Sequence, residues 1–195
     1  MGKKLPGITL AFENPKGGVG KSTLTALFAG YVHSMGEDGI NIGVVDIDDM
    51  QNTMGRLRQS ESDESNNLKE VMNISSSEFI NQLDMLKQSF DVILVDFPGN
   101  LKQNGVIEAL HFIDIVIMPF EPNNTDLSAT LYFYDNVYKN IIKARKENGL
   151  KTTVRGVMNR VMTNVIEFKE LVSKKENLPF QLMESFIKDS RVDYQ

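Results

Sequence analysis

The sequence contains no cysteine among its 195 residues. This absence excludes disulfides, cysteine-ligated zinc and cysteine-ligated iron–sulfur clusters, and it fits a reducing environment. The sequence also has no apolar run long enough to cross a bilayer, and Met1–Thr9 is too short and too polar for a signal peptide. We therefore expect a cytoplasmic protein that makes no use of a membrane.

Basic residues are in the minority, because 21 Lys and Arg stand against 26 Asp and Glu and leave a net charge of −5. The chain as a whole is therefore not a basic nucleic-acid binder, and only a local basic patch stays open. Hydrophobic residues make up 41% and charged residues 24%, which is ordinary for a globular protein. The length suits one α/β domain, 1–195, with a sizeable core.

Short apolar runs alternate with longer segments of helical periodicity. The runs are almost continuous in apolar residues, which is typical of parallel strands buried on both faces. The predicted strands are Ile8–Phe12, Ile42–Ile47, Val92–Phe97, Ile113–Pro119 and Val154–Met158. The predicted helices are Lys21–Met35, Ser76–Gln88 with Ser76 as N-cap, Gln103–Phe112, Leu127–Glu147 and Asn164–Glu176. This alternation predicts an α/β fold with a mostly parallel, twisted sheet and helices on both faces. Leu178–Ile187 leads toward a further strand, and we expect the last helix to be short or missing.

A glycine-rich loop follows the first predicted strand and opens the first predicted helix. The segment Phe12–Leu24 reads FENPKGGVGKSTL, and this context is the one that a P-loop NTPase requires. Its backbone N–H groups and the helix N-terminus attract phosphate oxygens. Lys21 adds a positive charge for the β- and γ-phosphates, the Ser22 hydroxyl is placed to ligate Mg²⁺, and Thr23 reaches the α-phosphate. The sequence therefore predicts a three-layer P-loop NTPase fold that binds ATP and Mg²⁺ through Gly17, Gly18, Val19, Gly20, Lys21, Ser22 and Thr23.

Two acidic segments lie where predicted strands end. They are VVDIDDMQNT at 44–53 and VILVDFPG at 92–99. The carboxyl ends of parallel strands face the crevice in which ligands of α/β sheets bind. Phosphoryl transfer depends on a metal, an in-line water and charge neutralisation more than on covalent chemistry. Acids at these strand ends are therefore candidates for holding the metal and the water.

The pattern K-G-G-x-G-K-S/T at residues 16–22 resembles the deviant Walker A motif of the ParA/MinD family of ATPases. Pro15 stands where the ordinary motif has glycine, and Lys16 precedes the glycine pair. The resemblance implies that Lys16 reaches across a dimer interface and stabilises charge on the partner's γ-phosphate, as an arginine finger does. A solvated lysine beside the loop is the alternative.

The resemblance extends to the acidic segments. A strand that ends in Asp96 and continues to Gly99 resembles the family's Walker B and switch II. Asp96 would then hold Mg²⁺, and the Gly99 N–H would approach the γ-phosphate. In the family's D-x-D-P-Q pattern, Asp48 would orient the attacking water and Asp46 would support the metal. Here Asp49 and Met50 replace the proline, so a switch that binds ATP without hydrolysing it stays an alternative.

The far strand end, VMNRV at 157–161, resembles the family's base-binding segment. The resemblance implies that Asn159 hydrogen-bonds the adenine edge while Arg160 lies over the base. Met118–Asp126 would border the base and the dimer seam. A turn-forming role is the competing interpretation for Asn159.

These likenesses imply a slow, partner-stimulated ATPase that forms a homodimer on ATP and serves partition or conjugative transfer of plasmid or transposon DNA. FENPKGGVGKSTLTALFAGY and VDFPG are also similar to ParA-type proteins, often called TraA, of conjugative elements in Bacteroides-like bacteria. A centromere-binding or mating-machinery protein would be the partner, and a metabolic P-loop enzyme of the same fold is the alternative. Basic residues offer a patch for non-specific DNA or a solvated helix face: Lys139, Lys143, Arg145, Lys146, Lys151, Arg155, Lys169, Lys174 and Lys175.

Overall fold

The computed structural model describes residues 6–35, 40–47 and 71–189. Asp48, Asp49 and Met50 lie outside the described residues. Within the described residues, no helix is both long enough and apolar enough to cross a membrane.

Among the described residues, seven strands form one parallel sheet. They are β1 (Ile8–Phe12), β2 (Ile42–Asp46), β3 (Val71–Asn73), β4 (Val92–Asp96), β5 (Ile115–Phe120), β6 (Thr153–Met158) and β7 (Gln181–Leu182). Their order in the sheet is β3-β2-β4-β1-β5-β6-β7. The predicted α/β P-loop NTPase fold is therefore confirmed.

Six α-helices lie between or after these strands in the described chain: α1 (Lys21–Ser34), α2 (Ser76–Ser89), α3 (Val106–Leu110), α4 (Asn124–Phe133), α5 (Lys139–Glu147) and α6 (Ile166–Ser173). A π-helical turn, Tyr134–Tyr138, joins α4 to α5, and a 3₁₀ turn, Lys175–Asn177, follows α6. The chain forms two compact units, Met1–Phe12 with Lys21–Ile115 and Glu13–Gly20 with Val116–Gln195.

The core of the first unit is built around β4. This strand pairs in parallel with β1 on one side and with β2 on the other. Its central residues Ile93, Leu94 and Val95 are completely buried, which explains the continuous apolar run in the sequence. In the second unit β6 pairs in parallel with the short β7.

Helix α2 begins at Ser76, as predicted, but its N-cap differs from the predicted one. Its N-cap is Ser75 and not Ser76, because Ser75 stands three residues before Glu78 and completes a capping box. The Ser75 Oγ accepts the Glu78 N–H at 3.3 Å, and a Glu78 carboxylate oxygen accepts the Ser75 N–H at 2.8 Å. The Ser75 hydroxyl also donates to the Glu78 carboxylate at 2.6 Å, and this hydrogen bond, together with the one from the Ser75 N–H, lowers the pKa of Glu78 from its ordinary value.

Two other predicted helices also differ from the structure. The helix predicted over Gln103–Phe112 is shorter, because Gly105 has φ +79° and the α-helix starts only after it. The helix predicted over Leu127–Glu147 starts earlier, at Asn124, since the Asn123 side chain caps it.

The π-helical turn lies inside the second of these predicted helices. The Tyr134 ring packs on Phe180 with ring centroids 5.3 Å apart, and Phe133 meets Tyr138 edge-on at 5.0 Å. Tyr138 is completely buried, and its hydroxyl has no hydrogen-bond partner within the described chain. Burial, aided by the Glu13 carboxylate, raises the pKa of Tyr138 well above its ordinary value.

Candidate functional site

The phosphate loop runs from the end of β1 to the start of α1, as predicted. Gly18 has φ +80° and Gly20 has φ +97°, conformations that residues with a side chain rarely adopt. A Cβ built on Gly18 would meet nothing within 4 Å. The backbone conformation, and not crowding, therefore requires glycine there. Val19 lies between the two glycines, and its side chain is buried.

Lys21 is the first residue of α1 and is only 7% exposed. A Cβ built on Gly99 would lie 3.9 Å from the Lys21 Nζ, so the ammonium group lies beside this glycine. Ser22 and Thr23 follow in the first turn of α1. The structure thus brings Lys21 and Gly99 together, and their phosphate-binding roles stay predictions.

Asp46 and Asp96 are the last residues of β2 and β4, and they are direct neighbours in the register of the two strands. Both residues are buried. Two adjacent buried carboxyl groups favour a cation beside them. Their placement side by side follows the predicted strand ends.

The donor chemistry of this edge can be tested against Mg²⁺. Among the described residues, no three or more His, Cys, Asp or Glu side chains are grouped to hold a metal by themselves. Mg²⁺ is usually bound by one or two carboxylates together with waters and substrate phosphates. Asp46 and Asp96, with the Ser22 hydroxyl, fit that mode and do not fit an all-protein cage.

In the second unit, Asn14 fastens the start of the loop. The residue is completely buried. Its Nδ2 donates to the Pro119 carbonyl at 3.0 Å and to the Thr130 Oγ1 at 2.8 Å, while its Oδ1 accepts the Lys16 N–H at 3.0 Å. The sequence interpretation missed this role. The available signal was an amide residue placed directly between a buried strand and the loop.

Lys16 forms an ion pair within its own chain. Its Nζ donates to the Asp126 carboxylate. The Lys16 side chain is 40% exposed, whereas that of Asp126 is 1% exposed. Asp126 is fixed in the first turn of α4, where the Asn123 side chain accepts its N–H at 2.9 Å. Asp126 belongs to the segment predicted at the dimer seam, but its contact with Lys16 was not predicted.

Asn159 and Arg160 directly follow β6. The Asn159 Nδ2 donates to the Val19 carbonyl at 2.8 Å, and its Oδ1 accepts the Arg160 N–H at 2.9 Å. Arg160 has φ +53°, and its guanidinium donates to Glu121 at 3.0 Å on the surface. The predicted contacts of Asn159 and Arg160 with adenine stay predictions.

Comparison with known proteins identifies a family and several solved structures of similar fold. A model of the CobQ/CobB/MinD/ParA nucleotide binding domain matches residues 10–179. The chain is similar to the McdA(D38A)–ATP complex of Cyanothece, with TM-score 0.68 and 13% identity over 96% of this chain and 85% of that chain. It is similar to pNOB8 ParA bound to nonspecific DNA, with TM-score 0.62 and 19% identity over 91% and 79%. It is also similar to MinD from Pyrococcus horikoshii OT3 complexed with Mg-ADP, with TM-score 0.58 and 18% identity over 95% and 82%.

The similarity to these solved structures shows a shared fold and nothing more, because the sequence identities are low. No curated protein matches the chain by sequence. The family model, in contrast, covers most of the chain and includes both the phosphate loop and Asn159-Arg160. The resemblance to the ParA/MinD family is confirmed, while the narrower likeness to TraA-type proteins stays a prediction. The chain belongs to the CobQ/CobB/MinD/ParA nucleotide-binding domain family.

Proposed function

We propose that this chain is an ATP-switched homodimer that binds ATP with Mg²⁺ on the loop Asn14–Thr23 and hydrolyses it slowly. The observation that carries the proposal is that Lys21, the first residue of α1, has its ammonium group beside Gly99. A helix N-terminus with a buried lysine and glycine-flanked N–H groups favours phosphate. Membership of a nucleotide-binding family with ParA/MinD-type ATPases supports the same conclusion.

The remaining residues have distinct duties in this proposal. Asp46, Asp96 and Ser22 would hold Mg²⁺, which neutralises charge on the β- and γ-phosphates when it is bound. Asp48, outside the described residues, would orient the attacking water. Lys16 would stabilise charge on the ATP of the partner subunit.

The ion pair of Lys16 adds a free-energy cost to the formation of the dimer. Lys16 must leave Asp126 before its ammonium group can act elsewhere, and Asp126 is a buried carboxylate. Separating a buried ion pair is costly because one charge stays without its partner in a poorly solvated place. Contacts that ATP and the second subunit make must therefore offset that cost. When they do, the population shifts from the monomer toward the dimer.

A cluster of lysines on α5 supports binding of non-specific DNA. Lys139, Lys143 and Lys146 are exposed and lie on one face of the helix because they are three and four residues apart. Arg145 does not belong to this surface. It is 5% exposed, and its guanidinium donates to the Lys151 carbonyl at 3.2 Å. The structural likeness to a ParA bound to nonspecific DNA points the same way.

Such a switch would serve partition or conjugative transfer of plasmid or transposon DNA. A centromere-binding or mating-machinery protein would then stimulate hydrolysis. The decisive experiment measures molar mass and phosphate release with ATP and with ADP, for the wild type and for Asp48→Ala. We expect ATP to double the mass, ADP to leave it unchanged, and the variant to accumulate as an ATP-bound dimer. ATP binding with neither association nor turnover would refute the switch and favour a regulatory ATP-binding module.

DNA binding is tested separately by a salt titration with ATP or ADP. Neutralising phosphates with lysines makes affinity fall steeply with salt, with a log–log slope of about −0.9 per contact. The double substitution of Lys143 and Lys146 by alanine should make the slope shallower by about 1.8, which corresponds to the loss of two contacts. The matched control is Lys102→Ala, which removes an exposed lysine of the first unit. An unchanged slope in the double variant would remove α5 from the DNA surface.

A further inference from the structure

Both polar atoms of the Asn159 side chain form hydrogen bonds within the chain. Its Oδ1 accepts the Arg160 N–H at 2.9 Å, and its Nδ2 donates to the Val19 carbonyl at 2.8 Å. The opposite orientation of the amide would place two acceptors face to face and two donors face to face. The hydrogen bonds therefore determine that the Nδ2 group, and not the Oδ1 atom, faces the Val19 carbonyl.

The Val19 carbonyl is a sensitive point of the phosphate loop. Gly18 and Gly20 on either side of Val19 both have positive φ, and glycine is free to leave such conformations. A trans peptide unit is planar, so its C=O and N–H point in opposite directions. Holding the Val19 carbonyl on one side therefore directs the Gly20 N–H to the other side. That N–H is one of the groups with which a glycine-rich loop holds phosphate.

Asn159 is itself firmly placed. It is 7% exposed, and its N–H donates to the Phe120 carbonyl at 2.9 Å. The next residue, Arg160, keeps φ +53°, a conformation that is uncommon for a residue with a side chain. The Arg160 N–H donates to the Asn159 Oδ1. The backbone on both sides of the amide thus restrains it.

We propose that Asn159 is a positioning residue for the phosphates: it sets the Val19–Gly20 peptide so that the loop is formed before nucleotide arrives. The inference rests on the proposed nucleotide binding by this loop and changes the role of Asn159 within it. A residue that reads the adenine edge discriminates between bases. A residue that acts through Val19 affects every ligand with a phosphate chain equally.

The test substitutes Asn159→Asp, which keeps the size and the acceptor for Arg160 but turns an oxygen toward the Val19 carbonyl. Affinities for ADP, GDP and Mg²⁺-tripolyphosphate are measured by competition with a fluorescent ADP analogue. ADP is used because ATP-driven association would enter the measured affinity. We expect the affinities for all three ligands to fall by a similar factor of about 10 or more, so that the ratio of ADP affinity to GDP affinity is unchanged.

Two further variants guard the interpretation. Asn159→Ala removes the hydrogen bond without adding charge and should show the same equal weakening. Asn140→Asp makes the matched substitution at an exposed asparagine whose amide donates to the Asn136 carbonyl in the preceding π-helical turn, and it should leave all three affinities as in the wild type. Thermal unfolding without ligand shows that each variant is folded at the temperature of the assay, so a lost folded fraction does not imitate weaker binding.

The opposite results are equally clear. Tripolyphosphate binding at wild-type strength, together with a collapsed ADP-to-GDP ratio, would show that Asn159 reads the base and would overturn the inference. Unchanged affinity for all three ligands would overturn it as well. In both cases the wild type still binds nucleotide, so the proposed function stands. A wild type that binds none of the ligands would instead refute the proposed function itself.

Discussion

The two lysines of the phosphate loop are held in opposite ways. Lys21 is buried at the start of α1 and lies beside Gly99, a residue without a side chain. Lys16 is 40% exposed and is paired with the carboxylate of Asp126. Lys21 thus lies at the helix N-terminus to which we assign phosphate binding, whereas Lys16 is paired with the carboxylate of a residue outside the loop. Binding and switching can therefore be separated by substituting one lysine at a time.

The largest effect is expected at Lys21. Lys21→Ala removes the buried charge that we propose for binding the β- and γ-phosphates, and hydrogen bonds to charged groups are among the strongest in proteins. We expect ATP affinity to fall by about 100-fold or more, measured by isothermal titration calorimetry. ATP affinity within a few-fold of the wild type would remove Lys21 from the site and end the contrast between the lysines.

Lys16 should give a different phenotype. Lys16→Gln keeps a polar side chain but removes the charge, so the variant should bind ATP as a monomer. Light scattering after size exclusion should show no increase in mass with ATP, while calorimetry shows ATP affinity close to that of the wild type. Normal association of the variant would mean that the Lys16 ammonium group is not needed at the partner subunit's ATP.

Asp126→Asn should sharpen the comparison from the other side. The amide keeps the shape of the side chain but no longer holds Lys16 by charge, so less energy is needed to release the lysine. We expect half-maximal association at an ATP concentration lower by a factor of about 3 to 10, which corresponds to roughly 1 kcal/mol. A shift to higher ATP concentration would show that the pair supports the dimer and does not oppose it.

The smallest effect is expected at the cap of α2, which touches neither lysine. Ser75→Ala removes the capping box and should lower stability by about 1 kcal/mol, or about 2–4 °C in melting temperature. ATP affinity and association should be unchanged. A change in either would mean that general destabilisation contributes to the phenotypes of the lysine variants.

The same variant also gives a pH dependence. Because the pKa of Glu78 is lowered in the folded state, its interaction with Ser75 stabilises the protein above the ordinary pKa of a glutamate. That contribution is lost as the pH falls through the lowered pKa of the folded state. The difference in melting temperature between wild type and Ser75→Ala should therefore shrink in acid.

Much of the fold could be predicted because its signals are local. The run Val92–Asp96 is apolar throughout because β4 has a strand on each side. The carboxyl ends of parallel strands lie at the same edge of a sheet, so Asp46 and Asp96 could be expected at one edge. That their two strands are neighbours was not predicted. The strands β3 and β7 have three and two residues, too few for a periodic pattern.

The missed parts of the site depend on contacts between distant parts of the sequence. Asn14 reaches Thr130, 116 positions away, and Lys16 reaches Asp126, 110 positions away. Asn159 reaches Val19 across 140 positions. A motif identifies Lys16 and Asn159 as unusual residues but carries no information on the partner that each one has. The partner depends on tertiary packing, which no local pattern specifies.

The π-helical turn between α4 and α5 has a consequence for where positive charge is presented. Such a turn accommodates one more residue than an α-helical turn, and one residue corresponds to about 100° around an α-helix. If the residues Tyr134–Tyr138 formed an ordinary α-helical turn, Lys139, Lys143 and Lys146 would be rotated by about 100° relative to α4. The π-helical turn therefore sets the direction in which the three lysines point, and a change of this turn to an α-helical one would redirect all of them in one step.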